Sequence, residues 1–224
     1  GFHFDNSYNQ ACYCDNCQRE FKAFLEKNIL NPKEILGIND FKNIRIPPYT
    51  KLSEIHDPLY LWWLQYRRDL CARTYNELFA YVKAVSNNEA EVLHKPAFPR
   101  KGQFVNEMGF EPSLSTKNCD CIFAENTSFI QKKGQDIISQ IKAFKLGQKF
   151  GYRVFDTSWL LDENGRHRFP ESYEEVMRFL SQSIIFGGVC GSPWMIRSLK
   201  NGDTIWLDIP GQQNMLAKIF GYYS

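Results

Sequence analysis

The sequence predicts an α/β protein whose core is a mostly parallel sheet. Short apolar segments with the character of strands alternate along the chain with segments that have helical spacing. Polar residues directly follow several of these strands. The chain has 224 residues and is 43% hydrophobic, which is sufficient for one domain with a substantial core. We therefore expect residues 1–224 to form a single domain in which helices cover the sheet.

The chain begins with a strand and an amphipathic helix. Residues 1–4 form a short apolar strand that is followed by Asp5-Asn6. Asp15 with Gln18 three residues later predicts a capping box at the start of a helix over 16–27. The apolar residues of this helix recur at helical spacing and are Phe21, Phe24 and Leu25.

A long loop and the longest helix come next. Residues 29–56 contain three prolines and predict an irregular loop or lid. Asp57-Pro58 opens a helix that we expect to end near Val85. Its apolar stripe consists of Leu59, Trp63, Tyr66, Leu70, Leu78, Val82 and Val85.

The second half of the chain continues the alternation. We predict four further strands, over 91–98, 119–124, 152–155 and 189–194. We predict three further helices, over 135–149, 172–186 and 212–220. Ile137 and Ile138 are expected on the buried side of the first, and Ser172 with Glu175 forms a capping box for the second.

Five strands leave two architectures open. They can be part of an eight-stranded barrel with three strands upstream, or an open doubly wound sheet. The first strand lacks a glycine-rich phosphate loop, which weighs against a nucleotide-binding open sheet. The chain also opens on what looks like the middle of a strand, so we expect further residues upstream. Whether these include a signal peptide stays open.

Charge and hydropathy exclude some partners. The net charge is +2, from 27 basic and 25 acidic residues, so the whole chain makes no electrostatic case for nucleic acid. Apolar runs are far shorter than the roughly 18 residues of a membrane-spanning helix. We therefore expect neither a nucleic-acid nor a membrane partner; a homo-oligomer stays open.

Seven cysteines are present, and three of them lie in one short run, at Cys12, Cys14 and Cys17. An odd total with one tight cluster suits thiols and a metal better than a disulfide framework. Cys71 and Cys190 are expected in the core, where a free cysteine packs as a small apolar residue. Reduced cysteines favour a cytoplasmic location.

Two motifs stand close together in the first third of the chain. In the first, Asp5-Asn6 ends a strand and a C-x-C-x-x-C run follows. The second is the helix pattern P-x-x-x-x-W-x-x-Y-R-x-D, at Pro58, Trp63, Tyr66, Arg67 and Asp69. Together they resemble the family-42 glycoside hydrolases, which are β-galactosidases. The resemblance implies a (β/α)₈ TIM barrel, of which this chain would be a part, from about strand four onward.

The resemblance also implies a metal site and a catalytic edge. In the family the cysteine run binds Zn²⁺ together with one further cysteine upstream, so Cys12, Cys14 and Cys17 would be three ligands of a structural zinc whose fourth ligand lies outside this chain. Active sites of such barrels lie at the carboxyl ends of the strands. The substrate would be an oligosaccharide or other glycoside.

Three acidic residues are candidates for the two carboxyl groups that glycoside cleavage needs. We predict Asp5 as the general acid/base and Glu125 as the nucleophile or base, with Asp156 as the competitor for that second role, because each ends a predicted apolar strand. Side chains at other strand ends are candidates for sugar binding by hydrogen bonds or stacking: Asn6, His94, Asn126, Trp159 and Trp194.

The chain departs from the family at both catalytic positions. The family has a glutamate preceded by asparagine on strand four, whereas this chain has Asp5 followed by Asn6. The family's nucleophile is a glutamate ending strand seven, where this chain has Asp156. A hydrolase with a shifted catalytic pair and a non-catalytic sugar-binding barrel both fit this pattern. A zinc-ribbon-like interaction module is a third alternative.

Overall fold

The chain folds into two units, each with its own hydrophobic cluster. Unit 1 comprises Gly1–Asp5, Glu91–Phe98 and Cys119–Ser224, and unit 2 comprises Asn6–Ala90 and Pro99–Asn118. The computed structural model describes residues 1–4, 10–50, 56–95, 108–111, 113–114, 117–126, 131–133, 136–139, 141–158, 160–161, 167–168, 173–190, 214 and 217.

Strands and helices alternate in unit 1, as the hydrophobic pattern predicts. The strands are β1 (Phe2–Phe4), β2 (Val92–His94), β3 (Cys121–Asn126), β4 (Gln131–Lys133), β5 (Asp136–Ile138), β6 (Arg153–Ser158), β7 (Leu160–Leu161), β8 (His167–Arg168) and β9 (Val189–Cys190). The helices among the described residues are α1 (Asp15–Asn28), α2 (Pro32–Leu36), α3 (Pro58–Val85), α4 (Ile141–Phe150) and α5 (Tyr173–Ile185).

Five of the strands form one sheet, in the order β1-β2-β3-β6-β9. Each neighbouring pair is parallel. This confirms the predicted α/β class and the five predicted parallel strands, because each strand falls within or close to its expected range. The spatial order of the strands equals their order along the chain.

Two antiparallel hairpins follow strands of this sheet, and one of them corrects the sequence prediction. Strands β4 and β5 pair with each other after β3, and β7 and β8 pair after β6. Ile137 and Ile138, predicted to be helical, belong to β5, so the predicted helix over 135–149 begins only at Ile141. Two adjacent apolar residues fit a strand or a helix equally well by periodicity.

Helix α4 covers one face of the sheet. Its Ala143 and Phe144 pack against Ile122 and Ala124 of β3 and Val154 of β6, all nearly inaccessible to solvent. Gly147 lies where the helix meets β6, since a Cβ built there would fall 2.5 Å from Cγ2 of Val154. The chain therefore needs a glycine at this position to bring the helix onto the strand.

The end of α5 leads directly into β9. Gly187 adopts a φ of 76°, a left-handed conformation that suits glycine and ends the helix close to the predicted boundary at residue 186. Ser183 donates a hydrogen bond from Oγ to the carbonyl oxygen of Val189 at 3.3 Å. Of the last predicted helix, Asn214 and Ala217 are described and both are helical.

The core of unit 2 joins α1 to α3 through aromatic rings. Phe21 of α1 is fully buried, with its ring centroid 5.3 Å from that of Trp63 and 5.5 Å from that of Tyr66. Arg67 is 2% exposed and its guanidinium lies 5.9 Å from the centre of the Trp63 ring. The helix motif that carries the family resemblance is therefore largely a packing motif in this unit.

The predicted stripe of α3 is only partly buried. Trp63, Tyr66 and Val82 are buried as expected, whereas Leu78 is 41% and Val85 is 59% exposed. Cys71 is fully buried, which confirms its assignment to the core. The helix begins at Pro58, as predicted, and Asp57 caps it by accepting a hydrogen bond from the Leu59 N–H at 2.8 Å.

The predicted capping box at α1 is wrong. Cys14 is the N-cap and Asp15 is already the first helical residue. Gln18 instead donates to the Tyr13 carbonyl at 3.3 Å and accepts from the Ile46 N–H at 2.8 Å. It thereby links the start of α1 to the segment after α2, in the region predicted as a loop.

Among the described residues, no helix has the length and the apolar character that crossing a membrane requires.

Candidate functional site

Two of the three candidate catalytic residues, Glu125 and Asp156, lie in the carboxyl-terminal halves of strands of the parallel sheet. Glu125 and Asn126 are the last two residues of β3, and their backbone pairs with Thr157 and Ser158 of β6. Asp156 pairs with Ala124 and lies two residues before the end of β6. The strand runs further than the sequence predicted, so Asp156 belongs to the strand itself. Asp5 directly follows β1 and lies outside the described residues, as does Asn6.

Strand alternation separates the two acidic positions of β3 and β6. Successive strand residues belong to opposite faces, and register partners in a parallel pair belong to the same face. Position 125 is therefore on the same face as Phe123, and position 156 is on the same face as Val154. The two positions are on neighbouring strands but on opposite faces of the sheet.

A cluster of rings and one cation occupies the face of the sheet opposite α4. The rings of Phe123 and Phe155 stack with centroids 5.2 Å apart, and the His3 ring lies 5.0 Å from that of Phe123. Nζ of Lys95 lies 5.9 Å from the centre of the Phe123 ring. Lys95 is only 8% exposed, although it is charged. Residues from β1, β3 and β6, and the residue that follows β2, thus meet around Phe123.

His94 lies on the other face. It is the last residue of β2, pairs with Ile122 and is completely buried. Since Ile122 packs against α4, His94 shares the helix-covered face. The sequence pattern selected His94 and not the neighbouring Lys95, and the strand register places the two on opposite faces. The predicted contact of His94 with a sugar stays a prediction.

The remaining predicted sugar-binding residues are described only in part. Asn126 is placed by its backbone at the end of β3. Trp159 and Trp194 lie outside the described residues. No sequence motif points to the residues around the Phe123 ring, which are His3, Lys95, Phe123 and Phe155. Alternation within each strand would group them on one face once the register is known.

The opposite, amino-terminal edge of the sheet holds structural polar contacts. Asp120 accepts a hydrogen bond from the Val92 N–H at 2.7 Å, and Arg153 is ion-paired with Glu91. These contacts join the starts of β2, β3 and β6. In parallel barrels this edge serves stability, whereas chemistry takes place at the carboxyl edge.

The three clustered cysteines of unit 2 converge as the sequence predicts. The sulfur atoms of Cys12, Cys14 and Cys17 all lie within 4.8 Å of one another, and Cys12 Sγ is 3.4 Å from Cys14 Sγ. Zinc–thiolate bonds of about 2.3 Å in a tetrahedron place sulfurs roughly 3.8 Å apart. The cluster can therefore hold a metal ion with little rearrangement.

The environments of these thiols differ. The pKa of Cys14 is lowered to about 7, first by the backbone N–H of Cys17 and then by the neighbouring thiols. Burial first, and then the adjacent thiols, raise the pKa of Cys17 to about 12. Cys12 and Cys14 are exposed, while Cys17 packs against the unit 2 core. Three thiols this close resist ionising together, so a cation among them would favour their thiolate forms.

The start of α1 is held in place from both sides. Tyr13 stands between Cys12 and Cys14 in the sequence, and its ring centroid lies 6.2 Å from that of Trp63. Gln18 connects the Tyr13 carbonyl to Ile46. The cysteine run is therefore fixed to the aromatic core of unit 2 at two points.

Comparison with known proteins adds no assignment, since no protein-family model, curated protein or solved structure matches the chain.

Proposed function

We propose that the chain is the catalytic part of a barrel glycoside hydrolase that cleaves O-glycosidic bonds with two carboxyl groups. One observation carries the proposal: acidic residues occupy the carboxyl-terminal halves of two parallel strands, at Glu125 of β3 and Asp156 of β6, and a third, Asp5, directly follows β1 in the sequence. A cleavage site needs two such groups at one edge. The family resemblance of the two sequence motifs supports the same conclusion.

The strand order supports a partial TIM barrel. In a doubly wound sheet the order reverses at a switch point near the first strand. The order β1-β2-β3-β6-β9 has no such reversal, and a barrel adds its strands one after another in this manner. Together, the five strands would be barrel strands four to eight.

We assign Asp5 as general acid/base and Glu125 as nucleophile or base. Asp156 remains the competitor, but position 156 is on the same face as Val154, which packs against α4. Position 125 is on the same face as Phe123, which is the face that would line a barrel. This difference supports Glu125 over Asp156.

The chemistry uses the two carboxyl groups in complementary protonation states. The protonated Asp5 donates its proton to the glycosidic oxygen as the bond from that oxygen to the anomeric carbon breaks. The ionised Glu125 attacks this carbon, or removes a proton from a water that attacks it. In the first case a water then releases the sugar, and Asp5 takes its proton.

The cysteine run would bind a structural zinc ion in this protein. Cys12, Cys14 and Cys17 would supply three thiolates, and by resemblance a cysteine upstream would supply the fourth. A closed shell of four thiolates leaves no position for substrate. Bound there, zinc would supply a crosslink that holds the segment before α1.

Three carboxyl substitutions test the catalytic assignment. In the full-length protein, Asp5→Asn and Glu125→Gln are each expected to lower kcat on p-nitrophenyl glycosides by about 10³-fold or more, while Asp156→Asn lowers it far less. Asp40→Asn, an exposed aspartate of unit 2, is the matched control. Near-normal turnover by Glu125→Gln would refute its role. Sugar binding without cleavage by the wild type would instead identify a non-catalytic barrel.

Metal analysis tests the zinc site separately. We expect about one zinc per full-length protein, and loss of it in Cys14→Ser and Cys17→Ser. Cys71→Ser, at a buried cysteine outside the cluster, should retain the metal. Full zinc content in both cluster variants would refute the site.

A further inference from the structure

We propose that Lys95 is a substrate-binding residue of the candidate site, whose ammonium group donates hydrogen bonds to an oxygen of the sugar. This inference rests on the proposed glycosidase and names a residue that neither the sequence motifs nor the resemblance selects. The acceptor is a sugar hydroxyl or carboxylate.

The position of Lys95 is the first support. It directly follows β2, and its N–H donates to the Phe4 carbonyl at 2.9 Å, so the pairing of β2 with β1 extends to this residue. It therefore stands at the carboxyl edge of the sheet, level with the end of β1. Parallel barrels place their substrate contacts at this edge.

The direction of the side chain is the second support. The contact of Nζ with the Phe123 ring places Lys95 on the face opposite α4. Position 125 follows Phe123 by two residues on the same strand, so it is on the same face of the sheet. In a barrel the helices cover the outside, so the face of Phe123 is the inner one.

The environment of the ammonium group is the third support. Lysine is rarely buried, because desolvation disfavours its charged form. Lys95 is 8% exposed and lies against the Phe123 ring. A cation held in such a place makes stronger hydrogen bonds to an acceptor than an exposed one does. A polyhydroxylated ligand offers such acceptors.

His94 provides the contrast. It is fully buried on the face that packs against α4, whereas Lys95 lies over Phe123 on the opposite face. The strand register thus places the two neighbours on different faces of the sheet.

Steady-state kinetics of the full-length protein tests the inference. Lys95→Met keeps the aliphatic stem against Phe123 and removes the charge. We expect KM to rise by about 10- to 100-fold, the loss of a hydrogen bond from a charged donor, with kcat changed much less. Lys95→Arg should restore part of the affinity. The substrates are the p-nitrophenyl β-galactoside, β-glucoside and β-glucuronide, and a larger effect on the glucuronide would identify a carboxylate acceptor.

Lys145→Met is the matched control. Lys145 also lies over a phenylalanine, with Nζ 5.8 Å from the Phe186 ring, but it is exposed on α4. It should leave KM unchanged.

Binding measurements separate failure of this inference from failure of the proposed function. Titration calorimetry with galactose and with glucuronate compares the sugar affinity of Glu125→Gln with and without Lys95→Met. It measures the contribution of Lys95 to binding without turnover. Unchanged affinity and unchanged KM in Lys95→Met, in a protein that cleaves glycosides, would overturn the role of Lys95 alone. A wild type that neither binds nor cleaves any of these sugars would overturn both proposals.

Discussion

The substitution Gly147→Ala tests how α4 lies on the parallel sheet. A Cβ at this position would fall 2.5 Å from Cγ2 of Val154 and 2.9 Å from the carbonyl oxygen of Tyr152. Ordinary van der Waals contacts between heavy atoms begin near 3.5 Å. The methyl group of Val154 can yield a little, but the Tyr152 carbonyl belongs to the backbone leading into β6.

Two effects of opposite sign compete in this substitution. Alanine is favoured over glycine inside a helix by about 0.5–1 kcal/mol. Inserting a methyl group into a packed interface costs about 1–3 kcal/mol. Because one of the two clashing atoms is backbone, we expect the cost to prevail and the unfolding free energy to fall by about 1–2 kcal/mol. An α4 that did not contact β6 would give the opposite sign.

Urea unfolding with hydrogen exchange of the α4–β6 region measures the change in the full-length protein. Val154→Ala removes the closest methyl group, so the additional cost of Gly147→Ala should be smaller in that background. A Gly147→Ala protein as stable as the wild type, or more stable, would refute the packing of α4 against β6 and with it the assignment of the two sheet faces.

Three further predictions concern stability. Phe21→Ala should cost about 3–5 kcal/mol by chemical unfolding, since the ring is fully buried between α1 and α3, while Leu30→Ala, at a residue 96% exposed, should stay within about 0.5 kcal/mol. Asp57→Ala should cost about 1 kcal/mol by removing the cap of α3, and the exposed Glu77→Ala in the same helix should not. Burial raises the pKa of Cys121 from 9.0 to about 11, so the unfolded chain ionises first and stability is lost as pH rises from 9 to 11; Cys121→Ala should reduce that slope, and an identical slope would refute the burial of the thiol.

Hydrophobic periodicity predicted the order of elements well, because those elements have unambiguous patterns. The start of α3 was located at Pro58 since aspartate before proline is a strong helix-start signal and the cap is local. The three cysteines were grouped because a C-x-C-x-x-C run brings its thiols together whatever surrounds it. In both cases the information lies within a few residues of sequence.

The errors occur where a distant contact decides. Gln18 has the spacing of a capping box, but Ile46, far away in sequence, takes its carbonyl oxygen as acceptor. Leu78 and Val85 continue the apolar period of α3 and are nevertheless largely exposed. A pattern shows which side of a helix is apolar, and only the neighbours show how much of that side is covered.

The candidate site depends on the least local information of all, the register between strands. His94 and Lys95 are adjacent polar residues at one strand end, and a shift by one residue exchanges their faces. The pairing of His94 with Ile122 and the contact of Lys95 with Phe123 determine which is which. The same alternation separates position 125 from position 156. Sequence motifs can therefore point to one edge of the sheet, but which polar residues of that edge share a face follows from strand pairing. This is why we expect the substitution of Lys95, which belongs to no motif, to change the substrate affinity of the proposed site.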